Sequence, residues 1–394
     1  MRMRPRLLVG ALLVFLLAAG SWVACGSGES VGSLSGGTAG DATDVGGTGG
    51  TTGTAASTDA QVGASSGAQG GSGASGETGS GGAENEVETV YDRGVALVTP
   101  LEADGEYLYW AESNRGVASV LVGPRDGSAE PRTLAPWVSE PTDDFFVVDE
   151  THLYWHELGV LKKVSKSNWS VEEIPFGSAT PRMARVLDAT HVYVADLFCE
   201  GVWRVQKSGT GEALFIELLP ALIGDRGGVT GLALDETHIY CGRGQRVLKV
   251  SKEGGEVEEL VTGQTDVGPI YVYGDYVYWI NNNPTDDLQQ FLARASKSGD
   301  GPREILLELG KDAGRLLFDE ERREFFMMPG KGYGTTSILG YGPDADGART
   351  VATEVTRYGG TAQDDDYFYW VSRVRLDDGT GERHDESKIM RVRK

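Results

Sequence analysis

The chain has 394 residues and a formal net charge of −22. An acidic surface repels phosphate backbones and disfavours anionic ligands, so nucleic acid is not expected as a partner. The 57 glycines are unevenly spread, and many precede residue 85. The remaining stretch of about 310 residues is long enough to bury one large core. We therefore expect one folded domain, residues 86–394.

Residues 1–24 are predicted to be an export signal. The first six residues carry three arginines, and Leu7–Gly20 form an apolar run. A run of this length fits the core of a signal peptide, whereas a membrane-spanning helix needs about 20 apolar residues.

Val23-Ala24-Cys25 at the end of this segment resembles a bacterial lipobox, with Trp22 in place of the usual leucine. The resemblance implies that Cys25 is acylated, becomes the N-terminus and holds the protein on a membrane. Gly26, rather than an aspartate, resembles lipoproteins that are passed on to the outer membrane. The alternative is ordinary secretion with cleavage near Ala24.

Residues 25–85 are predicted to be a disordered tether. Gly26–Gly82 consist mostly of Gly, Ser, Thr and Ala, with no lysine, arginine or aromatic residue. Such a segment cannot bury enough apolar surface to offset its ordering entropy. A flexible chain of about 60 residues spans roughly 40–45 Å, which would hold the domain clear of lipid headgroups.

Beyond residue 86 one unit recurs, a turn with Asp or Gly followed by an aromatic strand. Its copies are Asp104–Trp110, Asp149–Trp155, Asp188–Val194, Asp235–Cys241, Gly274–Trp279, a degenerate Asp319–Met327, and Asp364–Trp370. Their spacing of about 43 residues is typical of four-stranded propeller blades. Because no sustained helical period occurs, we predict an all-β, seven-bladed β-propeller.

The ends of the repeat array predict how the ring closes. The last unit has strands at Gly360–Gln363, Tyr367–Ser372 and Lys388–Val392 but no outer strand, and Val87–Tyr91 precede the first unit without a partner. We expect this N-terminal strand to complete the last blade, which removes the open edges of a linear array. The alternative is six blades, if the unit at 319–327 is discounted.

Four units contain the pair Tyr-Trp, at Tyr109-Trp110, Tyr154-Trp155, Tyr278-Trp279 and Tyr369-Trp370. The pairs resemble the YWTD and NHL-like propeller superfamily, and the unit DxTHVYW…RVxKxGG is most similar to propeller lipoproteins of myxobacteria, most of which have no assigned role. The Thr-Asp of the YWTD class is replaced here, so the resemblance implies the fold and not receptor-type peptide binding.

Several residues that could suggest chemistry are expected to be structural. His152, His191 and His238 occupy one repeat position on separate blades, where they diverge instead of converging on a metal ion. The tryptophans Trp110, Trp155, Trp279 and Trp370 should pack between blades. We therefore predict no catalytic residue, no metal site and no cofactor.

Two irregular segments between second and third strands are the predicted binding rim, because long loops on a propeller often carry function. They contain Asn281, Asn282, Asp286 and Asp287 in the fifth blade, and Asp377, Asp378, Glu382 and His384 within a loop at Arg373–Ser387. Solvated loops, a partner-binding edge and an oxygen-ligand ion site all remain open. No nucleophile motif accompanies His384.

Cys199 and Cys241 are the cysteines left once Cys25 is acylated. An exported protein experiences an oxidising compartment, in which a disulfide persists. The two residues lie on adjacent blades but at different repeat positions, so either a disulfide or two independent thiols fits the sequence.

These observations favour a monomeric, non-enzymatic binding module, anchored by its N-terminal lipid and contacting an envelope protein, peptide or glycan. The alternative is an envelope lyase or hydrolase with its site in the central channel. The inner strands are expected to be mostly apolar, which favours binding. They are predicted at Val95–Val98, Phe145–Val148, Arg185–Leu187, Gly231–Leu234, Ile270–Val272 and Leu316–Phe318.

Overall fold

A computed structural model describes residues 85–394 with gaps, and the secondary structure that it describes is entirely β-strand. The gaps are residues 95–96, 115–116, 138–145, 158–159, 177–184, 196–200, 212, 219–228, 266, 282–289, 311–314, 330–334, 357–358 and 378–382. The predicted export signal, Cys25 and the predicted tether lie outside the described residues. Within the described part, no helix is long and apolar enough to cross a bilayer.

The strands form seven four-stranded antiparallel sheets, which are the blades of a propeller. After β1 (Val87–Asp92), blade 1 contains β2 (Leu97–Ala103), β3 (Tyr107–Asn114), β4 (Val117–Pro124) and β5 (Arg132–Trp137). Blade 2 contains β6 (Val147–Val148), β7 (His152–Glu157), β8 (Val160–Ser165) and β9 (Val171–Pro175). Blade 3 contains β10 (Arg185–Leu187), β11 (His191–Ala195), β12 (Gly201–Gln206) and β13 (Leu214–Glu217).

The second half of the ring repeats the same order, innermost strand first. Blade 4 contains β14 (Val229–Leu234), β15 (His238–Arg243), β16 (Arg246–Ser251) and β17 (Val257–Val261). Blade 5 contains β18 (Val267–Tyr273), β19 (Tyr276–Asn281), β20 (Gln290–Ser296) and β21 (Glu304–Gly310). Blade 6 contains β22 (Leu317–Asp319), β23 (Glu324–Met327), β24 (Thr335–Tyr341) and β25 (Arg349–Thr356), and blade 7 contains β26 (Thr361–Gln363), β27 (Tyr367–Asp377) and β28 (Arg383–Arg393).

The predicted seven-bladed fold and its closure are confirmed. β1 is the outer strand of blade 7 and pairs antiparallel with β28, with Val87 opposite Val392. Tyr91 of this strand packs on Trp110 of blade 1, with ring centroids 5.2 Å apart, and its hydroxyl donates to the Pro124 carbonyl at 2.7 Å. The N-terminal strand therefore joins the last blade to the first. The unit at 319–327 is a full member of the ring, so the six-blade alternative is wrong.

The core is a series of layers between neighbouring blades, as the repeated tryptophans predict. Trp155 of blade 2 packs against Tyr109 and Val122 of blade 1, and Trp279 packs against Tyr240 of blade 4. Cys241 occupies the tryptophan position of blade 4, where it contacts the cluster around Tyr193 of blade 3. Each blade thus buries its second strand against the blade before it.

Two predicted boundaries are wrong. The inner strand of blade 1 runs over Leu97–Ala103 rather than Val95–Val98, because the hairpin that follows sets Ala103 opposite Leu108. The loop expected at Arg373–Ser387 is mostly strand, since β27 and β28 stay paired as far as Asp377 opposite Arg383. Asp385 bonds to Arg373 at 3.0 Å and to Arg375 at 3.2 Å. Opposite charges facing each other across strands stabilise this long hairpin.

Candidate functional site

An aspartate closes the hairpin between the first and second strands of most blades. In blade 3 the Oδ1 atom of Asp188 accepts hydrogen bonds from the backbone N–H groups of Thr190 and His191, at 2.9 and 2.8 Å. Its Oδ2 atom accepts the hydroxyl of Tyr193 at 2.9 Å. The same side chain therefore fixes its own turn and holds the buried tyrosine of the second strand.

Each of these aspartates also receives a cation from the next blade, in an arrangement that we call a clasp. The clasps are Asp104–Lys166, Asp149–Lys207, Asp188–Lys252, Asp235–Lys297, Asp319–Lys394 and Asp364–Arg125. In blade 4 the Lys252 ammonium lies 3.0 Å from Asp188 and 5.6 Å from the centre of the Tyr193 ring. This clasp thus links an ion pair to a cation–π contact across a blade junction.

The junction between blades 5 and 6 has no clasp. Tyr273 stands where other blades have the aspartate, and Pro343 stands where they have the cation. Aromatic packing replaces the ion pair, with the rings of Tyr273 and Phe318 centred 4.4 Å apart and those of Phe318 and Phe325 4.6 Å apart. Because this junction lacks both the aspartate and the cation, neither charge is left there without its counterpart.

Two open depressions lie on the face that carries the clasps. One, of about 850 Å³, lies between blades 1 and 2 and is lined by Asp104, Asp149, His152 and Lys166. The other, of about 420 Å³, lies between blades 7 and 1 beside Arg125 and Arg391. Their charged groups already join the blades, because Asp104 pairs with Lys166 and Arg125 pairs with Asp364. We interpret both depressions as consequences of the architecture.

A different set of side chains meets at the axis of the ring. A cavity of about 300 Å³ is lined by residues of every blade except blade 2. Its polar members are Glu102 of blade 1, Arg185 of blade 3, Arg315 next to β22 of blade 6, and Gln363 of blade 7. Apolar walls come from Leu232, Ile270, Tyr271, Leu316, Leu317 and Phe318, among others. A few polar groups that converge on one cavity between apolar side chains are typical of a small-ligand site.

Glu102 and Arg315 form the fixed part of this cavity. The Nη2 atom of Arg315 lies 2.9 Å from the Oε2 atom of Glu102, and its Nη1 atom donates to the Thr361 carbonyl at 3.3 Å. Their side chains are 14% and 24% exposed, so the pair is largely shielded from water. It joins blade 6 to blades 1 and 7.

Gln363 supplies an acceptor that lacks a donor. Its Nε2 atom donates to the Phe318 carbonyl at 2.7 Å. Its Oε1 atom is buried and has no hydrogen-bond partner among the described residues. A buried amide oxygen without a donor costs free energy, and such atoms are usually satisfied in native proteins. Gln363, which lines the cavity, therefore presents an acceptor to any hydrogen-bond donor that enters it, water included.

Arg185 brings a buried cation to the lining of the cavity. The residue is 6% exposed. Burial, and after it the charge of Arg185, lower the pKa of His156 to about 3, so this histidine is neutral at physiological pH. The lining of the cavity thus contains two arginines and one glutamate.

The predicted rim remains a prediction. Asn281 is the last residue of β19 and is 3% exposed. Asn282, Asp286, Asp287, Asp378 and Glu382 lie outside the described residues. Asp377 and His384 lie near the tip of the β27–β28 hairpin, and their side chains are outside the described part.

The three repeat histidines lie at equivalent hairpins on blades 2, 3 and 4. In each, the Nδ1 atom hydrogen-bonds to the preceding threonine hydroxyl, at 2.7 to 2.8 Å. Cys241 is fully buried, and burial raises its pKa to about 12. Cys199 lies outside the described residues, so its pairing with Cys241 stays a prediction. No group of three or more metal-binding side chains occurs among the described residues.

The residues that line the axial cavity are not among the predicted site residues. Glu102 lies beyond the inner strand predicted for blade 1, which ends at Val98. Arg185 lies in the inner strand predicted for blade 3, and the inner strands are expected to be mostly apolar. A usable signal existed, since a charged residue on the innermost strand of a propeller must face either a blade interior or the axis.

Comparisons with known proteins support the fold and no family. No protein-family model and no curated protein matches the chain. Among solved structures, an oligogalacturonate lyase in complex with manganese is 11% identical with a TM-score of 0.56, over 78% of this chain and 96% of that chain. A chain of a mitotic checkpoint complex is 11% identical with a TM-score of 0.52, over 77% and 92%. At such identities the likeness shows the propeller fold alone.

A third similar structure is a chain of a nidogen/laminin complex. It is 15% identical over 61% of this chain and 97% of that chain, with a TM-score of 0.42, which is too low to carry an argument. The class of protein that fold and cavity define is a seven-bladed β-propeller with a charged axial cavity.

Proposed function

We propose that this chain is a lipid-anchored, non-enzymatic binding propeller of the cell envelope, and that its ligand binds in the axial cavity. The convergence of Glu102, Arg185, Arg315 and Gln363 from four blades on one cavity supports this proposal. Because each side chain comes from a different sheet, the closed ring holds the group in a fixed arrangement. Preorganised polar groups bind a ligand without a further ordering cost.

The arrangement favours binding over catalysis. A general base must release and take up a proton, and its efficiency depends on a pKa near the working pH. Glu102 instead is already engaged by the permanently charged guanidinium of Arg315, at 2.9 Å. It therefore serves as a fixed acceptor, with Arg315 positioned beside it as a donor.

The location rests on the N-terminal residues. Acylation at Cys25 and a flexible segment over residues 25–85 would present the propeller at a distance from the outer membrane, as a monomer. The Tyr-Trp pairs at the strand ends support a YWTD or NHL-like subtype, close to the myxobacterial propeller lipoproteins.

Capture from envelope extracts tests this function. The segment 83–394 is a compact unit that contains all seven sheets and the strand that closes the ring, so it carries its complete core. It is immobilised beside an Arg185→Gln variant, and the bound small molecules and proteins are identified by mass spectrometry. We expect a species that is held by the wild type, is depleted on the variant and is recovered chemically unchanged.

Two results would contradict the proposal. Equal capture by both proteins would remove the cavity as the site and direct attention to the rim around Asn281–Asp287. Recovery of a cleaved or eliminated product would support the lyase or hydrolase alternative. Elemental analysis of the same preparation gives a second measure, because a stoichiometric divalent ion in the channel would also favour an enzyme.

A further inference from the structure

We infer that the depression between blades 1 and 2 is a second binding site, which takes an extended basic segment of a partner protein, with two lysine or arginine side chains. This inference is independent of the axial cavity and goes beyond the proposed function. The clasps account for the shape of the depression. The side chains of Glu106, Tyr107 and Glu150 also line it, however, and they take no part in a clasp.

The carboxylates of the depression fall into two kinds. Each of its two aspartates is paired with a clasp lysine. Glu106 and Glu150 are exposed, and neither carboxylate has an ion pair or a hydrogen-bond partner among the described residues. The depression therefore presents two uncompensated negative charges, and a bound segment with two positive charges is complementary to it.

Aromatic rings line the same depression. Tyr107 and His152 are half-buried in its lining, and Trp169 packs on Tyr107 with ring centroids 5.1 Å apart and ring planes at 87°. Burial, and after it the charge of Lys163, lower the pKa of His152, so this imidazole is neutral at physiological pH and adds no positive charge. An ammonium or guanidinium beside a carboxylate and a ring face gains an ion pair and a cation–π contact together.

The pair of Tyr107 and Trp169 distinguishes this junction from the junction of blades 3 and 4. There the equivalent hairpin position is His191, and the turn between the third and fourth strands has Gly254 at a positive φ of 80°. In blade 2 that turn instead holds Trp169 at a φ of 61°. A side chain of this size is uncommon at such an angle. The clasp is thus shared by both junctions, whereas the aromatic pair is not.

The extent of the surface favours a protein segment over a small free cation. The volume of about 850 Å³ lies toward the upper end of ligand pockets. The depression also shares Gly105, Glu106 and Tyr107 with the one between blades 7 and 1, so the two form one groove across three blades. Side chains at alternate positions of an extended chain point to the same side. A Lys-Gly-Lys segment lying in the groove can therefore present two cations to the two glutamates.

Three probes separate charge from chain in NMR titrations of isotope-labelled segment 83–394. The capped peptide Gly-Lys-Gly-Lys-Gly carries both, the same peptide with acetylated lysine side chains carries the chain alone, and cadaverine carries two ammonium groups without a peptide chain. We expect the lysine peptide to bind about 10-fold more tightly than its acetylated form, and more tightly than cadaverine. Equal binding of the acetylated peptide would overturn the role of charge. Equal or tighter binding of cadaverine would overturn the assignment to a protein segment.

Variants locate the binding, at about 0.15 M salt so that distant charges are screened. Glu106→Gln and Glu150→Gln should each weaken the lysine peptide about 2- to 5-fold, because each removes one exposed ion pair. Glu236→Gln is the matched control. Residues 149–152 and 235–238 share the sequence Asp-Glu-Thr-His, and Glu236 is exposed as Glu150 is, but it lies at the junction that lacks the aromatic pair. Equal weakening by Glu236→Gln would mean that the peptide follows the general acidity of the surface, and the site would fall.

The ring has its own test. Tyr107→Leu should weaken the lysine peptide about 2- to 5-fold and leave the acetylated peptide unchanged, because only a cation gains from the ring face. Unchanged affinity for the lysine peptide would overturn the role of Tyr107. If this variant fails to fold, the two glutamate variants and the acetylated peptide still decide whether the depression binds a basic segment.

Discussion

The clasp between blades 3 and 4 allows a quantitative test of what holds the ring together. Asp188→Asn keeps the size of the side chain and its Oδ1 acceptor, which bonds to two backbone N–H groups. It replaces Oδ2 with an amide N–H₂ group. That group then points donors at the Tyr193 hydroxyl and the Lys252 ammonium, which lie 2.9 and 3.0 Å from the native oxygen.

The expected cost follows from those two bonds. Hydrogen bonds to a charged partner contribute about 1.5–3 kcal/mol each when shielded, and solvent reduces this at the surface. Because the Asp188 side chain is 23% exposed, we reduce the contribution of each bond to about 1–2 kcal/mol. The substitution should lower the free energy of unfolding by about 2–4 kcal/mol, which for a domain of about 310 residues corresponds to roughly 3–6 °C in Tm.

Thermal unfolding of segment 83–394, followed by circular dichroism at pH 7, measures this change. The matched control is Glu236→Gln, which removes the same charge from an exposed position in a neighbouring hairpin. A double-mutant cycle with Lys252→Met isolates the ion pair from the tyrosine contact. If Asp188→Asn destabilises the protein no more than Glu236→Gln does, the clasps are incidental to stability and this reasoning fails.

Three further predictions concern pH, closure and anchoring. Burial alone would raise the pKa of Asp235, but hydrogen bonds from Thr237, Tyr240 and His238 outweigh it and bring the pKa to about 2. The stabilisation that Asp235 contributes is therefore complete above about pH 4 and is lost as the pH falls toward 2. When unfolding is followed in an acid titration, Asp235→Asn should lose less stability over this range than the wild type. Removing residues 85–94 takes away β1 and exposes the edge of β28. We therefore expect this shortened propeller to aggregate, as measured by size-exclusion chromatography. The control is a chain that lacks only residues 26–82, which should elute as a monomer. Cys25→Ala should abolish incorporation of labelled palmitate and release the protein from the membrane fraction, and unchanged membrane association would contradict acylation at this cysteine.

The closing strand shows how much of the fold could be read from the repeats. Val87–Tyr91 had no partner in the first unit and the last unit lacked a strand, so connectivity alone predicted the pairing that joins Val87 to Val392. The packing of the repeat tryptophans between blades was also predictable, because strand alternation places them on a buried face. Bounds such as those of β2 were less accurate, since register depends on the hairpin that follows.

The clasps show what the sequence left open. The aspartate of each hairpin was expected to cap its own turn, and it does. Its lysine partner lies on the next blade, 64 residues further along the chain for Asp188 and Lys252. No local pattern links positions so far apart, and they meet because the ring sets neighbouring blades at a fixed angle. Asp364 and Arg125 meet only because the last blade closes on the first.

The sequence by itself determined the number of blades, their strands and the closing strand, because each depends on period, alternation and local turn chemistry. The tertiary structure decided the charged axial cavity. Glu102 and Arg315 are 213 positions apart and lie on different sheets, and they face each other at 2.9 Å because a closed ring points the inner strands at a common axis. Residues that are distant in sequence become a site there through geometry that no single segment encodes.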